Sequence, residues 1–120
     1  MAVKALRGAT TVDADTREQV EERVAELLGE MLSRNAVVHE DLISMFFTST
    51  DDVTSMFPAT AARGVGMGDV PLLCSQELKI DGGTPRCIRV LVHLNTERAR
   101  EHLHHVYLRG ASGLRDDLPE

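Results

Sequence analysis

The stretch Cys87–Leu94 reads CIRVLVHL and predicts a buried β-strand. Aliphatic and β-branched residues fill nearly every position, and an Asp-Gly-Gly turn signal lies just upstream. Because side chains alternate along a strand, we expect Ile88, Val90 and Val92 on one face and Arg89 on the other. The pattern therefore predicts that one face of the strand is part of the core and that Arg89 projects from the opposite face.

A guanidinium in the middle of an apolar strand needs a partner. Breaking up a buried charge pair costs about 3–5 kcal/mol, so either an anion or solvent should meet Arg89. An internal Asp or Glu, a strand end that reaches water, and a bound anionic ligand each satisfy this need. Arg7 lies near the end of a predicted N-terminal strand, and this position fits a side chain that contacts either solvent or a ligand. Gly8, which follows it, would let the backbone pass close to a neighbouring element.

The composition is that of an acidic, single-domain protein spanning 1–120. The net charge is −6 and there is no basic run, which argues against a nucleic-acid partner. No apolar run is long enough for a membrane span or a signal peptide, so we predict a cytoplasmic protein without membrane contact. Cys74 and Cys87 lie in predicted strands without metal-ligand spacing, and we expect them to be reduced thiols.

The most strongly patterned segment is a long helix near the N-terminus. Asp15 and Glu18 match a capping box, with Asp15 as the N-cap residue. Apolar residues follow at helical spacing as far as Leu32, and we predict that the helix ends near Asn35. This helix carries no recognisable chemistry.

Three shorter elements are predicted after this helix. They are a strand over 42–50, a short helix over Phe57–Arg63 that Gly64 ends, and a strand over 70–80. After the turn signal, the Cys87–Leu94 strand should pair antiparallel with the last of them.

The remaining patterns predict connections rather than sites. The glycines of Gly64–Asp69 resemble half of a dinucleotide-binding fingerprint, but they follow a helix and a third glycine is missing, so we predict a turn. A last helix is predicted over Thr96–Tyr107. Its His102, His104 and His105 do not share one helical face, so we expect no metal site. A loosely ordered tail is predicted from about residue 110.

A few polar side chains stand out from these elements. Glu77 interrupts an apolar run, which fits either an exposed strand end or a binding site. The full set of unusual polar positions is Arg7, Arg63, Glu77, Arg89, Tyr107 and Arg115. No Ser-His-Asp arrangement, phosphate-binding loop or general acid–base pair accompanies them. Arginines with one carboxylate and one phenol suit a small di- or tricarboxylic acid that carries a hydroxyl.

Five segments, in order, resemble the monofunctional trimeric chorismate mutases of the AroH type. The resemblance extends from about residue 3 to about residue 118, and no single motif decides it. The segments are Arg7–Val12, Phe57–Ala59 with Arg63, Cys74–Glu77, Cys87–Val90 and His105–Leu108.

The resemblance implies an α+β fold in which a mixed sheet carries helices on one face. Three subunits would join their sheets into a pseudo-α/β-barrel, with active sites at the subunit interfaces. The implied reaction converts chorismate to prephenate, on the route to phenylalanine and tyrosine, without metal or cofactor. The partners implied are therefore chorismate and two further copies of the chain.

The resemblance also implies the site residues, with Arg89, Glu77 and Arg7 as the catalytic ones. One subunit would supply Arg7, Leu73, Cys74, Ser75, Gln76, Glu77, Arg89 and Tyr107, and the tail would add Leu114 and Arg115. The neighbouring subunit would supply Phe57, Ala59 and Arg63.

The chain departs from the family pattern at two positions. Thr60 stands where some relatives have Lys, which would weaken electrostatic capture without touching the chemical step. Leu73 stands where a small polar residue can occur. This difference has little effect on substrate binding if the substrate contacts only the backbone N–H of Leu73.

Two other functions remain open at this point. One is a small carboxylic-acid-binding trimer of the enamine-deaminase-like fold without mutase activity, which also holds a carboxylate with an interface Arg. The other is a structural or regulatory trimer whose arginines pair internally with its 19 acidic residues.

Overall fold

The computed structural model describes residues 2–114, which form one mixed β-sheet with helices packed against it. The regular elements are β1 (Ala2–Thr11), α1 (Arg17–Arg34), β2 (Leu42–Ser49), α2 (Pro58–Ala62), β3 (Leu72–Gln76), β4 (Cys87–Thr96) and β5 (Val106–Tyr107). Single helical turns lie at His39–Asp41, Arg63–Met67, Arg100–His102 and Arg109–Ala111. The predicted α+β class with a mixed sheet is confirmed. No helix of the described chain is long and apolar enough to cross a membrane.

The strand predicted to carry the core, β4, is the central strand of the sheet. The strand order is β3-β2-β4-β1-β5, and β4 pairs antiparallel with both β2 and β1. The outer strands run parallel to their neighbours, β3 to β2 and β5 to β1. In this register Arg89 lies between Ala9 of β1 and Thr48 of β2, so its backbone is fixed from both sides.

One face of the sheet, the helix face, packs against α1 and α2. The alternation predicted for β4 is confirmed, since Ile88, Val90 and Val92 are buried there. Each such side chain contributes about 1.5–3 kcal/mol when it is fully removed from water. Gly8 permits close packing of β1 on α1, because a Cβ at this position would meet Met31 and lie 3.2 Å from Leu27 Cδ1.

The other face, the open face, carries the alternate residues of the strands. Arg7, Arg89 and Leu91 lie on it, as do two exposed apolar side chains, Phe46 and Leu73. Phe46 is 37% exposed and Leu73 is 62% exposed. The open face is therefore buried around Ala9, Cys87 and Tyr107 but leaves Phe46 and Leu73 accessible in the single chain.

The predicted helix over 96–107 is wrong. The strand β4 continues to Thr96, a short turn follows, and β5 then pairs with Gly8 and Ala9. The backbone of Val106 and Tyr107 finds its partners on β1, and this tertiary pairing outweighs the local helical preference of the segment.

The predicted antiparallel pairing of the third strand with β4 is also wrong. β3 is shorter than expected and pairs only with β2, in parallel, so β2 separates it from β4. The connection between β3 and β4 must therefore pass across the end of β2. Its last residue, Arg86, is held there by its backbone N–H, which donates to the Asp52 carboxylate at 2.9 Å.

The ends of the helices differ in detail from expectation. Helix α1 ends before Asn35 as predicted, but its N-cap is Thr16, whose hydroxyl accepts from Gln19 N, instead of Asp15. The regular part of α2 stops at Ala62, and the helical backbone breaks at Val65 and Gly66, where Gly66 has a φ of 97°, in place of the predicted stop at Gly64.

Candidate active site

Arg89 is paired with a carboxylate of its own chain. Its Nε lies 3.3 Å from Oε2 of Glu77, the residue that follows β3. Thr48 stands opposite Arg89 on β2 and donates its hydroxyl to the same Oε2 at 2.6 Å. The ion pair and the Thr48 hydrogen bond meet at Oε2 of Glu77, and the Arg89 side chain also interacts with the Cys87 side chain. The Arg89 side chain is 44% exposed, so it is oriented but accessible.

Arg7 and Tyr107 share a cavity with Arg89. The cavity has a volume of about 260 Å³ and is also lined by Thr48 and Leu91. The register explains the grouping, because Ala9 of β1 lies beside Arg89 on one side and beside Tyr107 on the other. Two cations and a phenol on adjoining strands form a site for an anion that accepts several hydrogen bonds.

Tyr107 presents a buried hydroxyl to this region. Its side chain packs with Ala9, Cys87, Ala111 and Leu114, and it is 8% exposed. Within residues 2–114 the hydroxyl has no hydrogen-bond partner. Buried phenols normally find one, so this oxygen is available to a bound molecule.

Cys87 lies under the same cluster and is free, as Cys74 is. Burial raises the pKa of the Cys87 thiol, and the nearby Arg89 lowers it only in part. A thiol with a raised pKa is a poor nucleophile at neutral pH. Cys87 therefore fills space beside the cavity.

A second cavity lies at the β3 edge of the sheet and shares no lining residue with the first. It has a volume of about 670 Å³, and its wall includes Phe57, Thr60, Cys74, Ser75 and Gln76. Phe57 is 71% exposed at its rim. A third cavity of about 320 Å³, lined by Glu77, shares Arg89 with the first cavity and shares Thr50 and Asp51 with the second. The predicted site residues are thus divided among neighbouring cavities of the single chain.

The other predicted residues lie near these groups or outside the described chain. Ala59 is buried in α2, Arg63 is exposed on the π-helical turn, and Leu73 is exposed on the open face. Leu114 packs against the Tyr107 cluster. Arg115 lies outside the described residues. In residues 2–114 no group of His, Cys, Asp or Glu could hold a metal ion.

The structure adds two kinds of functional residue that the sequence did not reveal. Thr48 supports Glu77, and only its place opposite Arg89 in the register shows this role. Asp15 supports the loop before Phe57 by accepting hydrogen bonds from Thr54 and Ser55. Asp15 precedes the apolar stripe of α1 by five residues, which is a pattern typical of a helix N-cap. The sequence therefore predicted a capping role for Asp15 and did not indicate its contact with the distant loop.

The loop contacts of Asp15 have an electrostatic signature. The hydrogen bond from the Thr54 side chain, with those from the Thr54 backbone and Ser55, lowers the pKa of the Asp15 carboxyl to about 2, although burial acts to raise it. The carboxylate is therefore ionised at neutral pH and ties the loop to the start of α1.

Comparison with known proteins identifies a family for this chain. The family model for chorismate mutase type I matches residues 3–118. A protein named chorismate mutase AroH from Thermus thermophilus is 47% identical over 97% of this chain and 96% of its own length. A protein of the same name from Bacillus subtilis is 37% identical over 98% of this chain and 94% of its own length.

Comparison with solved structures gives the same result. A chorismate mutase from Clostridium thermocellum superposes with a TM-score of 0.87 at 41% identity, over 90% of this chain and 96% of that one. These relatives give no support to the enamine-deaminase-like alternative. The fold, the matched length and the named relatives agree, and the chain belongs to the type I chorismate mutase family.

Proposed function

We propose that the protein is an isomerase that rearranges chorismate to prephenate, on the route to phenylalanine and tyrosine. One observation carries the proposal: Arg89 is held on the central strand by Glu77, beside a cavity that also contains Arg7 and Tyr107. The family and the named relatives support the same reaction.

The reaction suits a site without an acid–base pair. One C–O bond breaks while one C–C bond forms, through a chair-like transition state, and no proton or nucleophile takes part. Catalysis must then come from holding the flexible side chain over the ring and from stabilising the charge that develops. Negative charge builds on the ether oxygen as its bond to carbon breaks.

Arg89 would stabilise that oxygen. A donor fixed in advance and aimed at a developing charge contributes about 3–4 kcal/mol to the rate. A guanidinium on a central strand, with Nε already held by Glu77, loses little freedom when its terminal nitrogens bind the substrate. The pairing with Glu77 is thus part of the preparation for catalysis.

The other residues would bind the ends of the substrate. Arg7 and Tyr107 would hold a carboxylate, and Glu77 would accept a hydrogen bond from the ring hydroxyl. Arg63 and Arg115 would close the site over the bound dianion. Leu114 would cover Tyr107 from the tail.

The division of the predicted site residues among these cavities supports an active site shared between subunits. In a closed homotrimer, the Arg89 cavity of one subunit would face the Phe57 cavity of the next, and three equal sites would result. The open face supports such an assembly, because Phe46 and Leu73 would be buried on joining the sheets.

This arrangement changes the expected division of residues between subunits. Cys74, Ser75 and Gln76 line the same cavity as Phe57, apart from Arg7 and Arg89. We therefore assign the edge strand β3 to the same half-site as Phe57, Ala59 and Arg63, and Glu77 alone to the Arg89 half-site.

The cellular setting is part of the proposal. We propose a cytoplasmic homotrimer in which residues 1–120 form a single domain that acts on its substrate without metal or cofactor. Substrate capture would depend on the arginines of the site, since the protein carries a net charge of −6.

The test is the conversion of chorismate by the purified protein. Chorismate loss is followed by absorbance, and prephenate is identified by chromatography, in buffer with a chelator. Saturable conversion of chorismate to prephenate is expected. A well-folded trimer that shows none would overturn the proposal and would favour a binder of small carboxylic acids.

A further inference from the structure

Arg109 has a backbone conformation that its side chain disfavours. Its φ is 54°, in the left-handed region, where few residues other than glycine lie. Such a conformation persists where the surroundings fix it, and it concentrates near functional sites. Arg109 comes two residues after Tyr107 in the chain.

A two-point ion pair holds Arg109 in place. Its Nε donates to Oε1 of Glu26 at 3.0 Å, and its Nη2 donates to Oε2 at 2.9 Å. The hydrogen bond and the charge of Arg109 lower the pKa of Glu26, so the pair is ionised at neutral pH. Glu26 lies on α1, and the pair therefore ties the segment after β5 to the long helix.

The same segment is attached to β1 on either side of Arg109. Leu108 N donates to Ala9 O at 2.9 Å, and Gly110 N donates to Thr11 Oγ1 at 3.0 Å. A Cβ at Gly110 would lie 2.8 Å from that hydroxyl oxygen, so glycine permits the contact. The strained residue thus lies between two points where the chain is fixed.

The position of the Tyr107 phenol depends on this segment. Arg109–Ala111 forms one helical turn, Ala111 belongs to the same buried cluster as Tyr107, and Leu114 packs against that cluster. A shift of the turn would move both residues that confine the ring. Displacing a substrate-binding group by about 1 Å can cost up to about a hundredfold in rate.

We propose that Arg109 and Glu26 form a positioning pair that sets the place of Tyr107 and Leu114 in the active site. This inference rests on the proposed mutase function. The pair does not touch the reacting atoms, and both side chains are partly exposed, at 42% and 35%. Exposed pairs add little to stability, so the expected role lies in alignment.

Replacing Arg109 with glycine separates alignment from stability. Arg109→Gly removes the ion pair and also the backbone strain, so the variant should fold with a melting temperature equal to or above that of the wild type. Its KM for chorismate should rise about 3- to 10-fold with little change in kcat, because Tyr107 is assigned to substrate binding. Arg109→Lys should recover part of the loss.

The matched control is the pair Arg34–Glu30. It lies at the C-terminal end of α1, one turn beyond Glu26, with a distance of 2.9 Å and exposures of 37% and 43%. Arg34→Ala should leave KM and kcat at the wild-type values. An unchanged KM in Arg109→Gly, measured beside an active wild type, would overturn the inference.

Hydrogen exchange gives a second measure that does not depend on activity. The amides of Gly110 and Ala111, which donate to Thr11 and Leu108, should exchange faster in Arg109→Gly than in the wild type or in Arg34→Ala. Unchanged exchange would refute the pair as an ordering device. An inactive wild type would count against the proposed function alone, and the exchange result would still decide for or against the pair.

Discussion

Arg89 and Glu77 form an ion pair across β2, with Nε 3.3 Å from Oε2, although their strands are not neighbours in the sheet. Thr48 of β2 lies beneath them and donates to the same carboxylate oxygen. Of the explanations considered for the cation on β4, the internal partner is confirmed, because Arg89 pairs with Glu77. A bound anionic ligand is part of the proposed function.

The first prediction concerns Arg89→Lys. Lysine keeps the charge but loses the planar pair of donors, so kcat should fall by about a hundredfold or more, in line with about 3–4 kcal/mol for a fixed donor. Steady-state kinetics with chorismate gives the value, and sedimentation checks the assembly. Arg100→Lys, on an exposed turn, is the matched control and should keep wild-type kinetics. Near-normal turnover in Arg89→Lys would remove Arg89 from the central role.

The second prediction tests the shared site by mixing two damaged variants. Arg89→Lys and Arg63→Ala should each be weakly active alone, because each spoils every site of its own trimer. After denaturation together and refolding at equal amounts, about a quarter of the sites should be intact, from random mixing in a closed ring of three. The recovered kcat is the readout, with each variant refolded alone as the control. No recovery in verified mixed trimers would place both arginines in a site within one chain.

The third prediction concerns Asp15 and acid. Hydrogen bonds from Thr54 and Ser55 hold the pKa of Asp15 at about 2, below the unfolded value of about 3.9. Its contribution to stability is therefore fully present above about pH 4 and is lost as the pH falls through about 2. Asp15→Asn should be less stable than the wild type at pH 6, and the difference should narrow towards pH 2.

Urea unfolding at fixed protein concentration measures that difference. Asp81→Asn, in the exposed loop before β4, is the control and should follow the wild type across the range. A constant difference between Asp15→Asn and the wild type from pH 6 to pH 2 would contradict the role of the Asp15 charge.

The fourth prediction compares two glycines. Gly8→Ala should destabilise the protein by about 1–3 kcal/mol, because its Cβ would meet Met31 in a packed interface. Gly29→Ala, within α1, meets nothing within 4 Å and should stabilise the helix by about 0.5–1 kcal/mol. Thermal unfolding of both variants gives the comparison. Equal effects of the same sign would show that the contact of β1 with α1 is not tight.

Local patterns predicted the parts of the fold that depend on local order. The alternation of β4 and the apolar stripe of α1 each fix a buried face, and both predictions are confirmed. The neighbours of a strand depend on contacts far apart in the chain. The pairing of β3 with β2, and of Val106 with Gly8, therefore had no local signal.

The residues of the candidate site also fall into those that the sequence predicted and those that it did not. Arg89 stood out because a charge in an apolar strand is costly, and Glu77 because it breaks an apolar run. Thr48 and Arg109 are ordinary residues for their segments. Their roles appear only when the register places Thr48 under Glu77 and the turn brings Arg109 to Glu26.

The alternation of side chains along β4 means that the strand tolerates neither the insertion nor the deletion of a single residue. Ile88 and Val90 face the helices, and Arg89 between them faces the cavity. Deleting or inserting one residue before Arg89 would exchange the two faces, burying a guanidinium in the core and turning an aliphatic side chain into the site. A substitution at one position of β4 affects one face of the sheet, whereas a one-residue insertion or deletion would damage folding and catalysis together.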